Sequence, residues 1–410
     1  MSAPGISTRA ARMVGEPSHL VEAHTTAVAD PFDPQRNPQG YVNLGTAENE
    51  LVSDLLLPRL RAAREVVASD THYGSLHGTD EFRSAVADLL TSHAGRPVDG
   101  SRLVAMSGTS AVLDALAYAL CEEGEAVVVP APFYGGFDVD FTARARARLV
   151  PAPLSSGDGF ALSARAVTDA VEQARAAGTT VPAVALISPH NPTGRVYAAD
   201  ALREVVDATR ALGVHLVVDE IYARSVFGDV VFTSALSFED EHVHVVWGFA
   251  KDFALSGYKV GLLHTRHDDV LAAVTAQAYL SPVSNDVQRT LVGLLGDARW
   301  VADFTAESAR RLAVSHALVV DRLAELGVET AGAQAGVFAW IDLRAQLTEQ
   351  TWAAERALWS KLFDDAHINI AAGELFHGDE PGWFRITHAA DPVHVTEALD
   401  RLGRVLAHDE

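Results

Sequence analysis

The chain has 410 residues, of which 48% are hydrophobic and 21% are charged, and its formal net charge is −22 at pH 7. This composition predicts an ordinary globular protein that is long enough for two domains with a substantial core. The negative charge argues against a nucleic acid or an anionic membrane as a partner, because neutralising phosphate groups requires a basic face.

Cysteine usage and hydropathy exclude further classes of protein. Cys121 is the only cysteine, so an intramolecular disulfide is impossible and a cysteine-based zinc site is not expected. We expect Cys121 to be a buried structural thiol, and we predict no metal site. The N-terminus shows no export signal, and no stretch of about 18 uncharged apolar residues occurs. The sequence therefore predicts a cytoplasmic protein without a membrane span.

The pattern along the chain predicts three parts. Residues 1–45 are predicted to form an N-terminal arm, because they are rich in Pro, Ser, Thr and Asp and have no clear period. Residues 46–300 alternate apolar β runs with amphipathic helices, which predicts an α/β domain with a mainly parallel central sheet covered by helices. Residues 301–410 are predicted to form a smaller α+β domain together with the arm.

The predicted elements follow from hydrophobic periodicity. In the larger domain we predict helices at 50–68, 80–94 and 110–122, and strands at 126–129, 148–151, 183–188, 214–219, 243–247 and 261–264. In the smaller domain we predict a long entering helix at 300–326, strands near 337–343 and 384–388, and helices near 353–365 and 393–407. No internal repeat is evident.

Lys251 has the most unusual position of the few lysines. Only three of the 32 basic residues are lysines, and Lys251 follows the apolar run 243–247 in a glycine-punctuated loop. A primary amine desolvated there can have its pKa lowered enough to be a nucleophile at neutral pH, and lysine can form a Schiff base with an aldehyde. Lys251 is therefore the candidate nucleophile.

Other polar and aromatic residues occur where α/β sheets bind ligands, outside the carboxyl ends of strands or at helix starts. A helix start offers N–H groups to an anion, an aromatic ring can stack on a planar ligand, and a strand-end carboxylate can pair with a cation. Each feature alone is also compatible with ordinary capping, packing or turns. The candidates are Gly108, Thr109, Ser110, Tyr134, Asn191, Asp219 and Tyr222.

Taken in this order, these motifs resemble the pyridoxal phosphate (PLP) enzymes of the aminotransferase class I/II family, known as fold type I. The resemblance covers residues 40–405. It implies a PLP site built from Lys251 at the aldehyde, Asp219 at the pyridine nitrogen, Asn191 and Tyr222 at the ring hydroxyl, Tyr134 on the ring face, and Gly108, Thr109, Ser110 and Lys259 at the phosphate.

The resemblance also implies how the site would work. Asp219 would stabilise the ring cation that makes PLP an electron sink, and the freed amine of Lys251 would carry the Cα proton, so Lys251, Asp219 and Tyr222 are the predicted catalytic residues. Arg385 would clamp the substrate carboxylate beside Asn191. Tyr73 would reach the phosphate of a neighbouring subunit, which implies a homodimer with shared active sites.

The segment Gly45-Thr-Ala47-Glu48-Asn49-Glu-Leu51 resembles the Gly-x-Ala-Glu-Asn-x-Leu segment of 1-aminocyclopropane-1-carboxylate (ACC) synthases. Those enzymes bind S-adenosylmethionine (SAM), whose sulfonium makes methylthioadenosine a good leaving group at Cγ. Glu48 corresponds to their glutamate near the sulfonium, where a carboxylate favours a cationic substrate. The chain departs from that pattern at Gly248 and Ala250 in place of serines, Lys259 in place of an arginine, and Leu76 in place of a tyrosine.

Three functions follow as alternatives. The first is a SAM-using PLP enzyme of specialised metabolism that loses methylthioadenosine at Cγ by ring closure, γ-elimination or γ-replacement, including C–C bond formation with a second small-molecule acceptor. The second is an aminotransferase that moves an amino group between an amino acid and a 2-oxo acid. The third is a regulatory or binding protein on the same fold, which the presence of Lys251 disfavours.

Overall fold

The computed structural model describes residues 5–15 and 19–407. The helices are α1 Thr8–Gly15, α2 His19–Ala29, α3 Ser53–Ala63, α4 Asp80–Ala94, α5 Thr109–Leu120, α6 Phe137–Asp140, α7 Ala164–Ala176, α8 Ala199–Leu212, α9 Asp268–Gln277, α10 Asn285–Leu295, α11 Ala298–Glu325, α12 Trp352–Ser360 and α13 Pro392–Ala407. The strands are β1 Val42–Asn43, β2 Leu103–Met106, β3 Ala126–Ala131, β4 Arg148–Pro153, β5 Ala183–Ile187, β6 His215–Asp219, β7 Val243–Gly248, β8 Gly261–Thr265, β9 Glu329–Thr330, β10 Phe338–Asp342, β11 Ile368–Asn369, β12 Ala371–Ala372 and β13 Trp383–Thr387.

The central sheet has seven strands in the order β2-β8-β7-β6-β5-β3-β4, and β8 alone runs against its neighbours. Successive side chains of β5 enter two different cores: Val184 and Leu186 pack on one face, and Ala185 and Ile187 pack on the other. Both faces are covered, which is why these strands are continuously apolar. The prediction of a mainly parallel sheet is confirmed. The short edge strand β2 was not predicted.

The C-terminal part adds a four-stranded antiparallel sheet in the order β12-β13-β10-β9. The N-terminal segment joins it, because β1 pairs in parallel with β11 and buries Val42 and Leu44 in the same core as Phe384. The predicted fold class is therefore confirmed. Helix α11 spans the predicted domain boundary at residues 300 and 301, and the domain limits themselves stay predictions.

The predicted arm contains two helices, α1 and α2, which were not predicted from its sequence. Ala23 and Ala27, one turn apart on α2, are buried where the helix packs against β1 and β11. Alanine is only weakly hydrophobic, so the buried face of α2 does not stand out in the sequence. The helix is stabilised by its packing rather than by a strong amphipathic pattern. Residues 1–4 and 16–18 of the predicted arm, and residues 408–410, lie outside the described residues.

Cys121, predicted to be buried, is only partly buried after the end of α5, and burial raises the pKa of its thiol to about 12. Within residues 5–15 and 19–407, no helix is both long enough and apolar enough to cross a bilayer.

Candidate active site

A cavity of about 290 Å³ lies at the carboxyl ends of β5, β6 and β7. The parallel register brings these ends together, since Ile187 pairs with Asp219 and Asp219 pairs with Val246. Seven of the predicted site residues line the cavity: Thr109, Tyr134, Asn191, Asp219, Tyr222, Lys251 and Arg385.

Lys251 stands in the loop after β7, and its neighbour Asp252 fixes that loop. The buried Asp252 carboxylate accepts hydrogen bonds from Trp247 Nε1 at 3.0 Å, from Ser225 Oγ at 2.8 Å and from the backbone N–H of Arg224 at 3.0 Å. Three donors, one from strand β7 and two from the segment after β6, therefore converge on one side chain. This arrangement holds the backbone of Lys251 in place at the cavity.

The amine of Lys251 donates a hydrogen bond to the carbonyl oxygen of Ala47. The pKa of this amine is lowered to about 8, mainly by burial; the charge of Glu48 raises it, and the charges of Arg385 and Lys259 lower it. A free amine is the nucleophilic form of lysine, so the site increases the reactive fraction at neutral pH.

Asp219 and Tyr222 lie at and just beyond the end of β6, and both are buried. Asp219 Oδ1 accepts the backbone N–H of Ile221 at 3.1 Å, and burial raises the pKa of its carboxyl to about 7. Burial also raises the pKa of Tyr222, whose ring lies edge-on to Phe338. A cation paired with Asp219 would offset the cost of ionising this buried carboxyl, which suits a protonated ring nitrogen.

Arg385 reaches the cavity from β13 and is buried to 4% exposure. Its Nη1 donates to Asn191 Oδ1 at 3.1 Å and its Nη2 to the carbonyl oxygen of Gly45 at 2.7 Å. Its Nε is buried without a hydrogen-bond partner in the described residues, and the rings of Phe338 and Phe376 flank the guanidinium. Burial lowers the pKa of Arg385, and a substrate carboxylate would satisfy its open donors.

Helix α5 begins at the cavity and is suited to an anion. Gly108 is its N-cap, with φ of 96°, and no side chain caps this helix start, which leaves the first N–H groups for a ligand. Lys259 lies alongside, because a Cβ built on Gly108 would be 3.6 Å from its Nζ. A Cβ on Gly261 would be 2.4 Å from the backbone N of Thr109, so glycine there lets β8 approach the helix start.

The structure explains one departure from the ACC synthase pattern. A Cβ on Gly248 would lie 2.7 Å from the carbonyl oxygen of Val260 and 3.0 Å from the Thr109 methyl group. A serine at position 248 would therefore displace the backbone of the next strand. Glycine at position 248 leaves room for the Val260 carbonyl and for Thr109 at the helix start, and Lys259 is the cation beside that helix start.

Five predicted residues are not part of the cavity lining: Gly108 and Lys259, which lie at the start of α5, and Glu48, Ser110 and Tyr73. Glu48 is exposed, although its charge acts on Lys251, and Ser110 and Tyr73 are exposed as well. His77 and His190 do not line the cavity. His190 is buried, with hydrogen bonds to Thr193 and to the carbonyl oxygen of Pro132.

Sequence reasoning missed three polar groups of the site: His24, Thr46 and Asn369 line the cavity, and Asn369 is buried. Thr46 lies within the recognised Gly45–Glu48 segment, which gave a signal for it. His24 and Asn369 gave none, because α2 and β11 are brought to the cavity only by the pairing of β1 with β11.

These groups fit PLP. An amine with a lowered pKa, a buried carboxylate, an aromatic ring and an uncapped helix start surround one cavity, and these are the partners of an aldehyde, a ring nitrogen, a planar ring and a phosphate.

Comparison with known proteins agrees with this geometry. A family model for aminotransferase class I and II matches residues 39–402. The chain is 34% identical to 1-aminocyclopropane-1-carboxylate synthase 3 of Oryza sativa subsp. japonica, over 98% of this chain and 95% of that protein. It is 32% identical to 1-aminocyclopropane-1-carboxylate synthase 1 of Cucurbita pepo, over 95% of this chain and 83% of that protein.

Solved structures support the fold. The aspartate aminotransferase of Thermus thermophilus with maleate superposes with a TM-score of 0.85 at 22% identity, covering 98% of this chain and all of that chain. The aromatic aminotransferase of Pyrococcus horikoshii OT3 superposes with a TM-score of 0.80 at 22% identity, covering 95% of this chain and 99% of that one. The chain therefore belongs to the aminotransferase class I and II family, with fold type I, and is a PLP-dependent enzyme.

Proposed function

We propose that this enzyme acts on SAM and releases methylthioadenosine from its Cγ. The observation that carries the proposal is the position of the segment Ala47–Glu48. The Ala47 carbonyl accepts a hydrogen bond from the Lys251 amine, and the Glu48 carboxylate is the strongest charge acting on that amine. Glu48 thus provides negative charge near the reacting amine, and negative charge there favours a sulfonium substrate.

Three protein groups would act on the substrate. Arg385 binds the α-carboxylate through the donors that Asn191 and Gly45 leave open, and this orients the Cα–H bond. Nζ of Lys251 accepts the Cα proton. Bound PLP supplies the electron sink for the Cα electron pair, and Asp219 supports that role from the end of β6.

The Cγ–S bond then breaks, and its electron pair leaves with the sulfur of methylthioadenosine. In ring closure, the Cα electron pair forms a Cα–Cγ bond. In replacement, a second nucleophile forms the bond at Cγ, and in elimination a further proton is lost instead. The protein groups described above serve all three outcomes, so the products must be identified by experiment.

The test is to mix the PLP-loaded protein with SAM, alone and with candidate acceptors, and to follow methylthioadenosine and the four-carbon product by mass spectrometry. Release of methylthioadenosine is expected. Glu48→Gln should raise the KM for SAM more than it weakens PLP binding, because it removes charge near the sulfonium without removing a PLP contact. Unchanged SAM kinetics in Glu48→Gln would contradict the proposed role of Glu48 near the sulfonium.

The alternative is amino transfer, for which the same lysine, carboxylate and arginine suffice. Of the residues that line the cavity, only Lys251 and Arg385 carry positive charge. A second substrate carboxylate would thus lack a dedicated cation, which disfavours dicarboxylic amino acids. Amino transfer from glutamate, alanine or aspartate to a 2-oxo acid, without release of methylthioadenosine, would establish the alternative.

We also propose a homodimer with shared active sites. Tyr73 is fully exposed, Tyr279 and Leu280 are 70% and 73% exposed, and this apolar surface lies beside the start of α5, since the backbone N–H of Ser107 bonds the carbonyl oxygen of Ser281. A second copy of the chain would cover this surface and bring its own tyrosine to the helix start.

Subunit mixing tests the shared site. Tyr73→Ala and Lys251→Ala should each have low activity, and mixing them should restore part of it, because a hybrid dimer would hold one site with both residues intact. Sedimentation should give the mass of two chains. A monomer at micromolar concentration, or no recovery on mixing despite hybrid formation, would contradict the shared site.

A further inference from the structure

One wall of the cavity carries polar groups that the proposed chemistry leaves unused. This wall is formed by His24 of α2, Thr46 after β1 and Asn369 of β11, and Asn43 of β1, which is not part of the lining, bonds to His24 and Asn369. Asn43, Thr46 and Asn369 are uncharged side chains that can form hydrogen bonds. We therefore ask what part of a substrate such a wall would recognise.

The four side chains form one hydrogen-bonded chain. Asn369 Nδ2 donates to Asn43 Oδ1 at 2.9 Å, Asn43 Nδ2 lies 3.3 Å from His24 Nδ1, and Thr46 Oγ1 lies 2.7 Å from the same ring nitrogen. Gly45 permits this packing, because a Cβ there would be 3.0 Å from the Asn369 amide. Each amide is thus oriented by its neighbour, and the chain ends at the imidazole.

This arrangement fixes the ring of His24. An amide nitrogen can only donate, so in the tautomer that we assign, His24 Nδ1 accepts from Asn43 Nδ2 and from Thr46 Oγ1, and the ring proton is on Nε2. His24 Nε2 makes no hydrogen bond to any described residue, and His24 lines the cavity. The wall therefore offers a held, uncharged N–H donor to whatever occupies the cavity.

The charges of the cavity decide which ligand atom suits this donor. The two cations of the lining, Lys251 and Arg385, serve the amine and the carboxylate of an amino acid, and the Glu48 charge suits a sulfonium. What remains of SAM beyond the sulfur is an uncharged nucleoside with oxygen and nitrogen acceptors. A neutral imidazole N–H matches such an acceptor, whereas a second carboxylate would need a third cation that the described lining does not offer.

We propose that His24 is a specificity-determining residue that donates a hydrogen bond from Nε2 to an acceptor atom of the substrate's nucleoside group. Asn43 and Thr46 are positioning residues that hold the ring for this bond. This assignment rests on the proposed function, because it takes SAM as the substrate. It adds that helix α2 recognises the nucleoside group of that substrate.

The experiment compares SAM with S-methyl-L-methionine, which has the same amino acid and sulfonium but no nucleoside. Dissociation constants for the PLP-loaded protein are measured by rapid-mixing absorbance before turnover, and KM and kcat are measured separately. The variants are His24→Phe, which keeps a ring without a donor, and His24→Gln, which keeps a donor. Thr25→Ala is the matched control, because Thr25 is the next residue of α2, is exposed and bonds only the carbonyl oxygen of Val21.

His24→Phe should raise the dissociation constant for SAM about tenfold, the size of one hydrogen bond, and change that for S-methyl-L-methionine less than about twofold. His24→Gln should recover most of the loss, Thr25→Ala should match the unchanged protein, and kcat should fall less than KM rises. Equal losses for both ligands, no loss for SAM, or no recovery with glutamine would overturn the role of the Nε2 donor.

The two proposals fail differently. If the unchanged protein neither binds SAM nor releases methylthioadenosine, the proposed function fails and the nucleoside assignment fails with it. If the unchanged protein releases methylthioadenosine and His24→Phe binds SAM normally, only the role of His24 is lost.

Discussion

The titration of Lys251 is the property that the structure predicts most sharply. Burial lowers its pKa from 10.5 to about 8 in the cofactor-free protein. Only the unprotonated amine attacks an aldehyde. At pH 7 a group with a pKa of about 8 is roughly one-tenth unprotonated, whereas an ordinary lysine is unprotonated in about one molecule of 3,000. Folding therefore increases the reactive form about 300-fold.

Rapid mixing of cofactor-free protein with PLP measures this reactivity through the visible absorbance of the bound cofactor. The rate should rise about tenfold between pH 6 and pH 7 and about fivefold between pH 7 and pH 8, and it should level off near pH 9, because the amine is then mostly unprotonated. Lys251→Ala supplies the background. A rate that keeps rising to pH 10 would mean that burial does not depress this pKa and would refute the reasoning.

Two substitutions should move the midpoint in opposite directions. Glu48 raises the pKa of Lys251, so Glu48→Gln should lower the midpoint, whereas Arg385 lowers that pKa, so Arg385→Met should raise it. Neither substitution changes Lys251 itself, so each variant is a control for the other. Shifts in the same direction would show that the two charges do not act on the amine as described.

Three further outcomes follow from contacts. Arg385→Lys should weaken SAM binding about 10- to 100-fold while PLP binding is kept, because a point charge replaces a two-pronged donor; titration of the loaded protein measures this. Asp252→Ala should lower the free energy of unfolding by about 3–5 kcal/mol in urea, since Trp247 and two other donors lose their acceptor. Gly45→Ala should weaken SAM binding with a small change in melting temperature, since its Cβ would press on the Asn369 amide; unchanged binding would show that this amide yields freely.

Continuous apolar runs made the central sheet predictable. Strand β5 is buried on both faces and all five of its residues are apolar, so it could be recognised without knowledge of its neighbours. Strand β7 keeps the same pattern apart from the buried His244. The edge strand β2 has only four residues, and α2 has a weak hydrophobic contrast, so local sequence carried little information about either.

Sequence alone predicted that Asp219, Asn191 and Lys251 lie together, because each stands at or after the end of an apolar run and parallel strands end at one edge of the sheet. Only the tertiary structure decided the rest of the cavity. His24 and Asn369 are 345 residues apart in number and meet through Asn43, because β1 pairs with β11 and carries α2 to the site. Such long-range pairing depends on the packed core, so it cannot be predicted from a local sequence pattern.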